Sequence, residues 1–299
     1  MVTDKERQRL VQLAGLLDAT TQRAAEHRVT YKLAARPGSI ASGEEKDAPS
    51  QGLHDDSYVG AYSISRLMIV VAEGHLEAMR PVLPDKRFGI SVLARAALEA
   101  SARAWWHLEP NVGIRERTRR YLSERLYSLH QNLEVEDAAG APQEARNAEA
   151  RMGAIEKEAK DQGFEVATNK NGHPFRIGGE DRPGSGKLIT AMMSSVHETM
   201  GPFMWKHTSA IAHGTLYALL PMLEETKDPF DSKQKGVTPA MQVGDVEWAV
   251  AVGALGHAEA FLRMCEVLGW DAAMWNKWRL LELWQPLIKE RFGWQDKDE

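Results

Sequence analysis

A single cysteine, Cys265, stands in 299 residues, which excludes an internal disulfide framework and a thiolate metal cluster. It falls in an apolar helical pattern, where a buried, inert thiol is expected. No stretch approaches ~18 uninterrupted apolar residues, so no membrane span and no membrane partner are expected. Positive charge is not in excess. The 37 Lys and Arg stand against 42 Asp and Glu, a formal net charge of −5, so no global field draws the chain to nucleic acid or acidic membranes, and any basic function must be local. Residues Met1 to Arg9 are charged, lack an apolar signal core and run into an amphipathic pattern, which predicts a cytoplasmic protein. No repeat recurs at a fixed period.

Several catalytic signatures are missing as well. Gly186-Lys187 suggests a phosphate loop, but that pattern needs glycine at 181 and Ser or Thr at 188, where Asp181 and Leu188 stand. None of the ten histidines has Asp or Glu three residues before it, so the Glu-x-x-His pair of carboxylate-bridged metal bundles is absent. His197-Glu198 lacks the second histidine of a zincin, and there is no Gly-x-Ser-x-Gly elbow. No metal and no cofactor is expected.

What is present is helical punctuation. Asp4 to Leu33 carries Leu10, Leu13, Leu16 and Leu17 on one side. Arg36 to Gln51 reads as a mobile polar loop rich in Gly, Ser and Pro. Helices are expected over Asp56–Met79, Gly89–Leu108, Gly113–Leu133 and Pro142–Gln162, the last strongly charged. Residues 164–177 break the rhythm around Asn171-Gly172, a hairpin turn signal, so two short strands are expected there. Helices resume over Lys187–Thr199, Pro202–Leu223, Val243–Leu268 and Ala272–Phe292, with a polar connection over Glu224–Gln242. The expected architecture is an all-α multi-helix bundle, one helical domain over 1–299 with its core in 56–268, a hairpin insertion and a tryptophan-rich C-terminal helix. Trp248, Trp270, Trp275, Trp278, Trp284 and Trp294 crowd that end, either as a clamp on the bundle or as an aromatic pocket or dimer face.

Three groups of residues carry chemistry. On the helix over 202–223, Trp205, Ala212, Leu216, Leu219 and Leu223 form an apolar stripe at ~100° per residue. Ser209 falls inside it, with Lys206, His213 and Tyr217 along its edge. A serine and a histidine one turn apart are either a satisfied core pair or the floor of a site. Histidine is the side chain that exchanges a proton near neutral pH, so on the functional reading His213 moves a proton, with Lys206 and Tyr217 supplying charge and a hydroxyl. On the alanine-rich helix, Arg95, Glu99, Arg103 and His107 follow at spacing four, either as a solvated face or as a half-buried ladder able to hold an anion. Glu99 could orient His213 from this second helix. The next helix carries Arg115, Arg117, Arg119, Arg120 and Arg125, with His130 near its end, either a solvated helix or a phosphate-contacting patch.

The run Ala94-Arg95-Ala96-Ala97-Leu98-Glu99-Ala100, then Arg117-x-x-Arg120-Tyr121-Leu122, then Ser209-Ala210-x-x-His213-Gly214-Thr215 resembles uncharacterised helical proteins of actinobacteria. At greater distance it resembles HEPN-type helical bundles, over residues 56 to 223. The resemblance implies a metal-independent RNase of a toxin or defence system, a homodimer using an Arg-x(4–6)-His motif. It makes His213 or His130 the group acting on a ribose 2′-hydroxyl, beside a cation that stabilises phosphate charge. The sequence departs from the motif at Lys206, which stands seven residues before His213 where the family has arginine. Arg125-x(4)-His130 meets the spacing. The residues expected at the site are His213, Ser209, Lys206 and Glu99 for catalysis, and Arg95, Arg103, Arg119, Arg120 and Tyr217 for substrate. Two other readings remain beside RNA: a non-catalytic module binding a small ligand or partner protein, and an enzyme of another class using an Arg/Glu/His pocket.

Overall fold

The structure is a computed structural model that describes residues 3–32, 34–84, 89–196, 198, 200–215, 223–227, 235–239 and 241–273. The helix expected over 272–292 falls outside the described residues from 274 onward, as does Tyr217.

Helix α1 (Asp4–Tyr31) opens on a capping box, Thr3 Oγ1 accepting from the Glu6 N–H at 3.3 Å and the Glu6 carboxylate accepting from the Thr3 N–H at 2.8 Å. Its buried positions, Leu10, Leu13, Leu17, Ala24 and His27 among them, recur at helical spacing and face the core. Between Arg36 and Gln51 the structure differs from the expected loop. The chain forms helix α2 (Ile40–Asp47), followed by a 3-10 turn at Pro49–Gln51. Ser39 caps α2, its hydroxyl accepting from the Ser42 N–H at 3.2 Å. Glu44 is buried because a partner 73 residues away, Arg117, neutralises it. Local polarity cannot show a pairing at that separation.

Four helices then follow close to their expected bounds: α3 (Asp55–Met79), α4 (Gly89–His107), α5 (Gly113–Ala138) and α6 (Pro142–Asp161). The hairpin forms where Asn171-Gly172 places it. Strands β1 (Val166–Thr168) and β2 (Pro174–Ile177) pair antiparallel, Val166 opposite Ile177, and Asn169 Oδ1 accepts from the N–H groups of Asn171 and His173. Helices α7 (Ser185–Val196) and α8 (Met200–Ala212) come next. A second antiparallel hairpin, β3 (Leu223–Lys227) with β4 (Lys235–Pro239), precedes α9 (Val243–Leu268).

The α8 region departs from expectation in two ways. The helix ends at Ala212 rather than near Leu223, and Leu223 lies in a strand. Gly214 adopts φ +65, and the N–H groups of Gly214 and Thr215 return to the carbonyls of Ile211 and Ala210, at 3.0 and 2.9 Å. This is a Schellman cap with His213 at the C-cap, a stop signal already written in His213-Gly214-Thr215. The buried face also differs. Met200, Met204, Thr208 and Ile211 are buried, whereas Trp205, Ser209 and Ala212 are half-buried and His213 is exposed.

Helix α4 is the hub, contacting α3, α7, α8 and α9, while α5 pairs with α6. Helix α9 is buried on every side, from Val246 through Val250, Ala254 and Phe261 to Leu268, as expected of a central helix that is apolar all round. Cys265 lies inside it, and burial pushes its thiol up to about 12, which suits an inert side chain. No described helix is long and apolar enough to cross a membrane.

Candidate functional site

The packing of α4 on α8 brings the Arg95/Glu99 turn against Trp205, one turn before Ser209. The Arg95 guanidinium lies 3.9 Å from the Trp205 ring centroid, and its Nε donates to Glu99 Oε1 at 2.5 Å. The residues between are Ala96, Ala97 and Leu98, of which Ala97 and Leu98 are buried. Arg95 is buried, yet its Nη1 finds no hydrogen-bond partner among the described residues. The guanidinium is stacked and steadied by a carboxylate, and its spare N–H is enclosed beneath Trp205 and could meet an anion only if that ring moved. The far side of Trp205 rests on α7, where a Cβ at Gly186 would come within 2.8 Å of its Cε2. The apparent phosphate-loop glycine is thus a packing glycine.

From Trp205 the same helix leads to the other expected residues. Lys206 and His213 are exposed and Ser209 is half-buried. Lys206 has no ion pair among the described residues. Ser209 and His213 are joined through the backbone, the His213 N–H donating to the Ser209 carbonyl at 3.0 Å. No side-chain bond links them among the described residues. The pair is therefore neither a closed core pair nor a nucleophile–base couple, and His213 presents its ring to solvent. At ~1.5 Å rise per residue, His213 lies about 12 Å along the helix from Trp205.

The Arg95–Glu99–Arg103–His107 ladder is not continuous. Its lower half turns toward α5 and α7, with Arg103 meeting Glu124 at 3.8 Å and Ser185 Oγ at 3.5 Å. His107 is fully buried, and neither ring nitrogen has a partner among the described residues. Burial, reinforced by the charges of Arg120, Arg182, Arg117 and Arg103, pushes its pKa down to about 3, so the ring is neutral.

Of the five α5 arginines, Arg115 is exposed and donates to the Gln51 and Gly163 carbonyls, while the other four meet carboxylates and form no solvated basic patch. Arg117 is wholly buried. It forks onto Glu44 (2.9 and 3.1 Å) and donates to the carbonyls of His107 and Glu109. Arg119 is held by Glu116 and donates to the Ile177 carbonyl at 3.0 Å, which pins β2 to α5. Arg120 shares Glu116, meets Glu109 at 2.8 Å and donates to the Trp106 carbonyl at 2.6 Å, tying down the end of α4. Burial raises the Glu116 carboxyl, but the hydrogen bonds from Arg119 and Arg120 outweigh it and hold the group below its ordinary value. Arg125 pairs with Glu158 at 3.0 Å, and His130 Nε2 meets the Pro174 carbonyl at 2.6 Å. Arg119 and Arg120, expected to bind substrate, are structural fasteners here, and His130 is committed to the hairpin.

Sequence reasoning missed Trp205 as the partner of Arg95, and missed Glu44, Glu116 and Glu124 as the carboxylates that consume the arginines. The 116/119/120 spacing was a readable signal, because residues three and four apart share a helix face. Glu44 offered none.

Comparison with protein-family models, with curated proteins and with solved structures finds no match. The site rests on its own geometry, and no group of three His, Cys, Asp or Glu side chains able to hold a metal occurs among the described residues.

Proposed function

We propose that this chain acts on RNA as a HEPN-like, metal-independent ribonuclease, a toxin or defence component working as a homodimer, with His213 as its proton-transferring group. In this reaction the ribose 2′-oxygen attacks the adjacent phosphorus. His213 takes the hydroxyl proton, the bond from phosphorus to the 5′-oxygen breaks, that oxygen takes a proton from water, and a 2′,3′-cyclic phosphate and a 5′-hydroxyl are left. Lys206, two turns before His213 on α8, stabilises the charge that develops on the phosphate. A second anion contact at Arg95 requires Trp205 to move, because the unpaired Nη1 is enclosed.

The observation that carries this reading is the exposure of His213 at the C-cap of α8, with Lys206 also exposed on that helix. A core histidine would be enclosed and bonded, and this one is neither enclosed nor held through its ring by Ser209. The arginine-rich α5 contributes nothing to the reading, because Arg117, Arg119, Arg120 and Arg125 meet carboxylates and Arg115 is held by the Gln51 and Gly163 carbonyls.

The test is cleavage of a structured RNA by the purified full chain in the presence of a chelator, wild type beside His213→Ala and Lys206→Ala. Cyclic-phosphate ends with wild type, lost in His213→Ala at unchanged thermal stability, are the expected result. Intact RNA with folded wild-type protein, or cleavage unaffected by His213→Ala, would overturn the assignment.

A further inference from the structure

A cavity of about 360 Å³ lies between the α1–α2 loop, α2, α3 and the last turn of α9, on elements separate from the His213 face. That volume is within the range of small-molecule sites. Its walls are apolar at Ala34, Ala41, Val59 and Leu268, with the rings of Tyr58 and Tyr62 to one side. Two cations, Lys32 and Arg66, and one acid, Glu45, complete the lining.

Arg66 stands out: half-buried Arg263 also lacks an ion pair among the described residues, but it donates to the Trp105 carbonyl at 3.0 Å and lies over that ring, and Arg66 has no such contact among them. Arg28, Arg95, Arg103, Arg117, Arg119, Arg120 and Arg182 are all buried or half-buried, and each meets a carboxylate. Arg66 is half-buried as well, but has no ion pair among the described residues, and its buried Nε has no hydrogen-bond partner. The nearest buried acid of α2, Glu44, is already taken by Arg117 and by the Tyr62 hydroxyl. A cation withdrawn from water without a counter-ion is costly. Burial correspondingly pushes the Arg66 guanidinium below its ordinary value.

Lys32 is the second anomaly. It is the C-cap of α1 at φ 50, the one non-glycine residue with positive φ among those described. Glycine is the favoured residue at such a helix end. A lysine held there carries backbone strain, and what it supplies that glycine cannot is a charge at the cavity. Glu45 at the rim brings the formal charge of the lining to one net positive (Lys32 and Arg66 against Glu45), which one carboxylate neutralises, while the apolar walls favour an organic body over inorganic phosphate.

We propose that this cavity binds a small organic carboxylate with an apolar body, Arg66 taking the carboxylate through its free N–H groups, Lys32 adding the second cation and the tyrosine–alanine wall covering the rest. The experiment is calorimetric titration and thermal unfolding of the full chain with phenylacetate and with hexanoate. Neutral phenylacetamide and inorganic phosphate serve as comparisons. The expected result is saturable binding of at least one carboxylate with a concentration-dependent rise in Tm, and an amide weaker by about tenfold or more. Arg66→Gln should weaken binding by about tenfold, and Lys32→Gly should weaken it severalfold without lowering the Tm of the free protein. Should Arg66→Gln fail to fold, Val59→Trp, which fills the cavity from its rim and leaves both cations in place, decides the matter by abolishing binding. Absence of binding by both carboxylates, equal binding of the amide, tighter binding of phosphate, or undiminished binding in Arg66→Gln or Val59→Trp would each overturn the proposal.

Discussion

Arg117 and Glu44 meet in a two-pronged ion pair, Nε to Oε2 at 2.9 Å and Nη2 to Oε1 at 3.1 Å, and the arginine has no exposed surface. The pair joins α2 to α5, and Tyr62 of α3 donates to the same carboxylate. The remaining Arg117 donors end on the carbonyls of His107 and Glu109, so one buried guanidinium gathers four segments of the fold.

Removing the carboxylate should therefore cost far more than removing a surface charge. Glu44→Gln is expected to lower unfolding stability by about 3 kcal/mol or more, because it leaves Arg117 buried without a counter-charge. Urea denaturation measures this directly. A loss under about 1 kcal/mol would show that water or another acid compensates Arg117.

Acid should destabilise the fold through His107. Its folded pKa, lowered to about 3, lies below the ordinary 6.5, so the unfolded chain binds the proton first as pH falls. The stability held by the neutral ring is fully present above about pH 6.5 and is lost toward pH 3, at ~1.4 kcal/mol per pH unit. Replacing His107 with Gln should flatten that slope relative to wild type between pH 6 and 4. Parallel stability–pH curves for the two proteins would contradict the assignment of the slope to His107.

Gly178 tests the joint between the first hairpin and α5. It has φ +74, and a Cβ there would lie 2.5 Å from Arg119 Cδ, while Arg119 donates to the neighbouring Ile177 carbonyl. Gly178→Ala should cost about 1–3 kcal/mol from the left-handed backbone and the displaced arginine. Differential scanning calorimetry of the variant should show the lowered Tm. An unchanged Tm would mean that the hairpin is not fastened through Arg119.

Gly186 offers a way to disturb the candidate site without touching a polar residue. A Cβ there would press on Trp205, which carries Arg95 on its ring at 3.9 Å. Gly186→Ala should shift Trp205 and alter its fluorescence. If the RNase reading holds, it should also reduce cleavage by about tenfold, the scale on which small displacements near a site act. Wild-type cleavage with a shifted tryptophan spectrum would detach Arg95 and Trp205 from the site and leave His213 alone.

How much was readable depended on the range of the cause. Helices α1, α3, α4, α6 and α9 announced themselves, because apolar spacing, caps and proline stops act within a few residues. The Asn171-Gly172 hairpin was legible for the same reason. The end of α8 was readable too, from Gly214, but the apolar run beyond it outweighed that one signal. The strands β3 and β4 gave no comparable pattern, lying as they do in a polar stretch.

The site was less legible than the fold. Local chemistry marked Arg95, Glu99, Lys206, Ser209 and His213 as residues worth placing, and α4–α8 packing brought Arg95, with Glu99 paired to it, onto Trp205. Which arginines were free could not be read from their spacing. Arg117 and Arg119 look alike along α5, yet one is neutralised from α2 and the other by its own helix while it fastens a strand. Secondary structure, the central burial of α9 and the inert Cys265 follow from local pattern and composition, because backbone geometry and hydrophobic burial are largely additive along the chain. The fate of each charge was settled by tertiary structure alone, because a counter-ion such as Glu44 or an unfilled cavity such as the one beside Arg66 exists only once distant segments have met.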